Sequence, residues 1–294
     1  MCITNNIARN AAIDISHWTG DIDWKKLKDF DNGAIQLVIT KATDSWAGKM
    51  FTDSKLIQNL KGAKSVGMPI GVYHWLKDDV APKTAVEYLF NIVEQYEPVL
   101  YALDVEERDI NSASDYAWRA QDWCNRIQPL TNKKPKIYTA EWFMNGYLRA
   151  PLKNEGKDPA KILGWMGSYN LWVAHYTKAS QPKVPQEWDA YQMWQYAANV
   201  WYPKYGISQW LKKYYANGWD LFGVNGSKSF DANVFHCSLE ELIGENIIIE
   251  PEVPEIPGEC EAARKILEVR IAEKSAKLNI LENKITEIGK IVVR

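Results

Sequence analysis

The chain has 294 residues, 35 Lys and Arg against 37 Asp and Glu for a formal net charge of -2, and 46% hydrophobic residues. That balance excludes a disordered chain and the strongly basic field that a nucleic-acid backbone requires. No apolar stretch reaches the roughly 20 residues needed to cross a bilayer, so neither a membrane nor a nucleic acid is an expected partner.

The first ten residues, Met1 to Asn10, lack a basic segment followed by an apolar one, so synthesis in the cytoplasm without a signal peptide is expected. Cys2, Cys124, Cys237 and Cys260 lie far apart and form no CxxC pair, which fits neither a zinc site nor a disulfide framework. No metal and no cofactor is expected. The 14 Trp and 15 Tyr are the unusual quantity, because flat amphipathic rings suit sugar faces as well as cores.

Eight strand-like segments follow in order: Ala11 to Ser16, Gln36 to Thr43, Pro69 to Trp75, Val99 to Glu106, Pro135 to Ala140, Leu171 to Tyr176, Ala190 to Tyr196 and Phe230 to Phe235. Helical patterns separate the early ones. Thr52-Asp53-Ser54 opens a segment with Leu56, Leu60 and Ala63 at helical spacing, closed by Gly67. Ala81-Pro82-Lys83 opens another with Val86, Leu89, Phe90 and Val93, and a third from Ser112 to about Gln128 carries Ala113, Ala117, Trp118 and Ile127. Strand and helix alternating at this spacing predict an α/β fold with a parallel sheet, and eight strands predict closure into an irregular TIM-like barrel.

The fourth strand ends in Leu103-Asp104-Val105-Glu106. Alternation puts Asp104 and Glu106 on one face, at the strand end where a barrel of this kind carries its active site. Two crowded acids push their pKa values apart, and the one in drier surroundings can hold a proton for general acid catalysis. Cleavage of a glycosidic bond uses such a pair. Asp14, flanked by Ile13 and Ile15, and Asp231 in the last strand are further acids near strand ends. A turn cap is the alternative role for Asp14, since Ser16 and Thr19-Gly20 follow closely. His17, His74, His175 and His236 are scattered beside strands and read as structural or groove-lining.

The chain changes character after the barrel. Glu250-Pro251-Glu252-Val253-Pro254-Glu255-Ile256-Pro257-Gly258 is a proline-spaced acidic linker. Leu267, Ile271, Lys274, Leu278, Leu281, Ile285, Ile288 and Val292 then recur at alternating spacings of four and three, the pattern of a coiled coil. The expected organisation is a barrel over 1–245, a linker over 246–260 and an amphipathic helix over 261–294, with a homo-oligomer formed through 264–292. A helix folded back on its own barrel is the alternative.

Several of these segments together resemble family 25 glycoside hydrolases, the Chalaropsis-type lysozymes (muramidases) common among phage endolysins and bacterial autolysins. The resemblance is carried by Ala12-Ile13-Asp14-Ile15-Ser16-His17-Trp18, Asp23-Trp24, Ile39-Thr40-Lys41-Ala42-Thr43-Asp44, Gly71-Val72-Tyr73-His74-Trp75 and Leu103-Asp104-Val105-Glu106. Leu171-Trp172-Val173-Ala174-His175-Tyr176, Trp194-Gln195-Tyr196 and Phe230-Asp231-Ala232-Asn233-Val234-Phe235 continue it, so that it spans roughly residues 8 to 240. It implies a (β/α)5(β)3 barrel, five βα units followed by antiparallel strands, acting on bacterial peptidoglycan at the cell wall. Glu106 would be the general acid, with Asp104 assisting as electrostatic stabiliser or by orienting the substrate's 2-acetamido group. Asp14 and Asp231 would complete the acidic cluster, and Tyr73, Tyr138, Trp172, Tyr176 and Gln195 would line the groove. Asp44-Ser45 departs from the family's usual Glu-Gly, Trp75 stands where Phe is common, and the segment Ala197 to Ser229 is longer than expected. Its Trp201, Tyr202, Tyr205, Trp210, Tyr214, Tyr215 and Trp219 are expected to flank the groove or to form a self-packed cap. A family 18-like chitinase or endoglycosidase and a catalytically silent glycan-binding module are the competing readings. The first is disfavoured by the absence of an acid-rich approach to Asp104, the second by four acids aimed at one pocket.

Overall fold

The computed structural model describes residues 10–108, 112–177, 179–198, 230–235 and 237–243. The chain divides into two units, Met1–Ile247 and Ile248–Arg294, and the second lies outside the described residues. The expected linker, the heptad helix and most of the aromatic segment 197–229 therefore fall outside them too, as do Cys2, Cys260 and His236.

Nine strands form one sheet: β1 (Asn10–Ile15), β2 (Ile35–Trp46), β3 (Lys49–Thr52), β4 (Ile70–Trp75), β5 (Tyr101–Asp104), β6 (Lys136–Thr139), β7 (Asn170–Ala174), β8 (Met193–Ala198) and β9 (Asp231–Phe235). The order is β1-β9-β8-β7-β6-β5-β4-β2-β3, and an additional β1–β2 pairing closes eight of the strands into a barrel, leaving β3 as a hairpin on β2. The helices α1 (Trp24–Asp29), α2 (Leu56–Ser65), α3 (Pro82–Val93) and α4 (Ala113–Thr131) occupy the first four crossovers. The fifth holds α5 (Glu141–Phe143), a π-helical turn (Met144–Arg149), α6 (Ala150–Asn154) and α7 (Pro159–Leu163). A short α8 (Leu239–Ile243) follows β9. This is the expected α/β barrel of five βα units and three closing strands. Of the three closing strands only β9 is antiparallel to its neighbours, however, because β8 runs parallel to β7. Between β7 and β8, residues 175–177 and 179–192 return along the barrel with no helix among them. Trp188, buried in that return, donates its indole N–H to the Tyr169 carbonyl at 2.8 Å, and Glu187 forks onto Arg149.

Local sequence accounts for most element ends. Ser112 caps α4 by accepting from Asp115 N–H at 3.2 Å, and Asn132 ends it in the left-handed region with φ 52. Pro82 occupies the first turn of α3, where its missing N–H has no partner to lose. Asp53 was expected to help open α2. Its Oδ1 does accept from Lys55 N–H, while Oδ2 is engaged by His17 through both backbone N–H (3.0 Å) and Nδ1 (2.7 Å).

Strand alternation sorts the apolar residues into two cores. Ala12, Leu37, Ile39, Ala102, Tyr138, Trp172, Met193 and Phe235 fill the barrel interior. Ile13, Val38, Val72, Leu103, Ile137 and Val173 pack outward against the helices. On α4 the buried face is Tyr116, Ala117, Ala120, Trp123, Cys124 and Ile127, whereas Trp118, expected within the apolar pattern, is 54% exposed. Adjacent positions on a helix point about 100° apart, and the wider face through Trp123 wins.

Gly62 in α2 lies under the Trp24 ring, where an added Cβ would come within 2.0 Å of the indole Nε1. In an exposed helix Gly→Ala is stabilising by about 1 kcal/mol. Here the sign reverses: Gly62→Ala should destabilise by about 1–3 kcal/mol, the usual range for overpacking. Thermal unfolding checks this, and a variant that melts higher than the parent contradicts the seating of Trp24.

Candidate active site

The acids reach one place because of strand parity and barrel closure. In β5, Ala102 and Asp104 face inward while Leu103 and Val105 belong to the outer core. The extended conformation continues past the strand, because Val105 N–H donates to the Tyr138 carbonyl at 2.8 Å and Thr139 Oγ1 donates to the Val105 carbonyl at 2.7 Å. Glu106 is thereby held on the same inner side as Asp104. Asp14 follows Ala12 on the inner face of β1, and the antiparallel β9 sets Asp231 directly opposite it.

Asp14 is buried, and its neighbours are amides. Gln195 Nε2 donates to both of its oxygens at 3.2 and 3.0 Å, and Asn233 Nδ2 donates to Oδ2 at 2.7 Å. The carboxylate requires donors, so it fixes which way both amides point. Gln195 Oε1 then accepts from the hydroxyls of Tyr138 at 2.9 Å and Tyr176 at 2.6 Å, reaching across strands that are not neighbours. Trp172 donates to Asn233 Oδ1 at 2.7 Å and meets Tyr138 edge-on, with ring centres 4.9 Å apart. Ser16, not Asp14, caps the turn that follows β1.

Crowding and burial shift these groups upward. Glu106 is raised to about 7, chiefly by burial and then by the charges of Asp14 and Glu107. Asp14 is raised to about 6 by burial, against the lowering effect of Asn233 and Gln195. Asp104 is held well above the usual carboxylate range by burial and the Glu106 charge, and its Oδ1 has no hydrogen-bond partner among the described residues. The Tyr138 hydroxyl beside Glu106 would lower that residue's pKa only by donating to it. With Tyr176 also donating to Gln195 Oε1, the Tyr138 proton can serve Glu106, and the lowering it and Lys41 exert is outweighed by burial and the neighbouring charges.

A cleft of about 480 Å³ opens beside Glu106, lined by Tyr138, Ala140, Trp142, Ala174, His175 and Tyr176. Among the residues expected to line a groove, Tyr138 and Tyr176 do so. Tyr73 lies among Asp14, Asp104 and Asp231, whose charges add to burial in raising its hydroxyl pKa. Trp172 and Gln195 are each only 2% exposed and sit beneath the surface, with their polar atoms engaged by the protein. His74 is buried against Trp123 and pushed down to about 4 by burial, while His17 pairs with Asp53; both are structural. Among the described residues no cluster of His, Cys, Asp or Glu could hold a metal. Asn233, Lys41 and Trp142 were not singled out as site residues by the sequence. Asn233 had a signal, since it shares a strand face with Asp231 two positions away. Lys41 ion-pairs with Asp44 at 2.7 Å and lies 4.5 Å from the Trp75 ring centre.

The chain is similar to known proteins in sequence and in fold. The chain is 28% identical over 233 residues to the uncharacterized protein YegX of Escherichia coli O157:H7, covering 78% of this chain and 71% of that one. It is 25% identical over 198 residues to lysozyme M1 of Streptomyces globisporus, covering 63% of this chain and 61% of the lysozyme. Its fold is similar to the bacterial lysozyme of Streptomyces coelicolor, with a TM-score of 0.56 and 22% identity over 81% of this chain and 97% of the other. Residues 13–205, which include Asp14, the Asp104–Glu106 pair and Gln195, match the family model described as glycosyl hydrolases family 25, and the chain belongs to that family.

Proposed function

We propose that this glycoside hydrolase is an N-acetylmuramidase, cleaving the β-1,4 bond between N-acetylmuramic acid and N-acetylglucosamine in bacterial peptidoglycan. The observation that carries the reading is a carboxyl, Glu106, on the cleft wall, raised to about 7 and therefore substantially protonated at neutral pH. Glu106 gives its proton to the glycosidic oxygen as the bond to the anomeric carbon breaks. Water supplies hydroxide to that carbon and returns the proton to Glu106. Asp104 lies deeper, and its unpartnered Oδ1 is available to a substrate N–H such as that of the acetamido group. Asp14 and Asp231 add negative potential to a site where positive charge develops on the sugar ring. Gln195, Asn233 and Trp172 hold these groups and need not touch substrate.

The lysozyme relatives support the peptidoglycan substrate, and the match to family 25 leaves the family 18-like reading without support. Among the described residues no helix is long and apolar enough to cross a membrane. We place the action at the cell wall, in the manner of a phage endolysin, on the motif resemblance set out above. The heptad pattern over 264–292 supports self-association, and light scattering of the full chain beside a chain ending at 245 measures it.

Glu106→Gln should lower release of reducing ends from peptidoglycan by about a hundredfold to ten-thousandfold, the usual contribution of a general acid. A variant retaining more than about a tenth of parental activity would show that Glu106 is not the acid, by the same scale. Parental activity should fall as pH rises through about 7, where Glu106 loses its proton, and again below about 6, where Asp14 becomes neutral. A rate still climbing above the Glu106 value contradicts the assignment.

The same variant tests the electrostatics separately. A carboxyl whose folded pKa is raised from 4.5 to about 7 contributes stability below its unfolded value and loses it as pH rises to about 7. Glu106→Gln should therefore match the parent at pH 4 and exceed it by about 1–3 kcal/mol at pH 8. That range is discounted from the full shift because Glu106 is only part-buried. Urea unfolding at the two pH values measures the difference, and equal stability at both contradicts the raised pKa.

A further inference from the structure

The strand β2 has twelve residues, whereas the other barrel strands have four to six. Its surplus lies at the mouth. Lys41 is level with Tyr73 and Thr43 with His74 near the end of β4, so Asp44, Ser45 and Trp46 extend beyond the barrel and pair with β3. At about 3.3 Å per residue, the tip stands roughly 15 Å past Lys41.

A bulge decides which way this extension faces. The register shifts between Lys41 and Thr43. Below it, Leu37 and Ile39 point into the barrel and Val38 points out. Above it, Thr43 bonds the outward His74 and Ser45 bonds Asp79, so Asp44 and Trp46 take the inner side. The Lys41–Asp44 ion pair spans the shift. Cross-strand partners share a face, which adds Phe51 opposite Asp44 and Lys49 opposite Trp46. The side of the hairpin toward the mouth thus carries two exposed aromatic rings, Trp46 at 65% and Phe51 at 46%.

The hairpin is braced. Ala47 and Gly48 both have positive φ, 51 and 74, as a two-residue turn of type I′ needs, and Gly48 N–H donates to Asp79 Oδ2 at 2.9 Å. Lys77 links the wall to the acids. Its ammonium lies 6.0 Å from the Trp46 ring centre and 5.6 Å from that of Trp75, and it ion-pairs with Glu107, the neighbour of Glu106. Trp142, 59% exposed, and Tyr176 belong to the cleft on the β6–β7 side. Trp46 stands on the β2–β4 side.

We propose that the β2–β3 hairpin is a saccharide platform, with Trp46 stacking on a sugar of the glycan strand beyond the reacting unit. Lys77, paired with Glu107 and lying by Trp46, puts the hairpin on the side of Glu106 toward which a strand longer than the cleft would continue. The rings of β-1,4-linked amino sugars present flat C–H faces that pack on an exposed indole, while their edges stay wet. The inference rests on the polysaccharide substrate proposed above, and it makes Trp46 a determinant of preference for long strands over short fragments.

Binding to the full-length Glu106→Gln chain tests it without turnover, using peptide-free peptidoglycan glycan strands and their disaccharide as probes. Adding Trp46→Ala should weaken strand binding by about tenfold and leave disaccharide binding unchanged, and Trp46→Phe should restore part of the loss. In the active chain, Trp46→Ala should raise KM for strands with kcat unchanged, as loss of uniform binding does. Equal strand affinity with and without the indole overturns the platform, as does equal weakening for strand and disaccharide. A wild-type chain that binds strands through Trp46 yet releases no reducing ends would sink the muramidase reading and leave the platform standing.

Discussion

The site depends on keeping several carboxyls together in a closed barrel without cancelling their charge. Asp14 is the pivot. A guanidinium beside it would have ionised it cheaply and screened it from Glu106. Two side-chain amides, Gln195 and Asn233, stabilise it by hydrogen bonding while leaving its charge in place. That charge is among the causes that raise Glu106. Lys41 does lie close enough to lower both Asp104 and Glu106, but Asp44 holds its ammonium at 2.7 Å. Neutral donors at the centre and a compensated cation at the edge together leave an acid that keeps its proton near neutrality.

Closure supplies the geometry that the amides need. Residues 14 and 233 are far apart in the chain and meet only because β9 inserts antiparallel between β8 and β1. Running antiparallel, β9 brings its N-terminal end to the mouth, so Asp231 faces Asp14 where a parallel strand would have offered its C-terminal residues. Trp172 then fixes Asn233 from below. Polar burial of this kind is unfavourable unless every group is paired. Here the chain Tyr176–Gln195–Asp14–Asn233–Trp172 is paired throughout, and the apolar shell between strands and helices carries the stability that the mouth gives up.

Much of this was legible in the sequence, and the remainder failed for identifiable reasons. The eight barrel strands announced themselves as apolar runs, and the parity of Asp104 and Glu106 followed from spacing alone. The roles of Gln195 and Trp172 did not, because a groove-lining side chain and one buried just beneath it occupy the same strand face. Only the pairing across the barrel separates them. Strict alternation from Leu37 through Lys41 would also have turned Trp46 away from the mouth, and one bulged residue reverses that. Trp118 shows the opposite error, since a helical pattern containing a large aromatic residue does not say that the residue is buried.

The bulge also separates two parts of one strand, the barrel stave below it and the hairpin above it. It sends Thr43 to His74, whose ring is stacked on Trp123 and stays neutral above about pH 4. The root of the hairpin is therefore tied to a partner that does not titrate in the range where Asp14 and Glu106 do. Proton uptake and loss change the chemistry at the mouth without moving that anchor. A glycan strand would meet the same aromatic wall on either side of the Asp14 and Glu106 pKa values, so a pH dependence of hydrolysis should enter through the carboxyls and not through the wall.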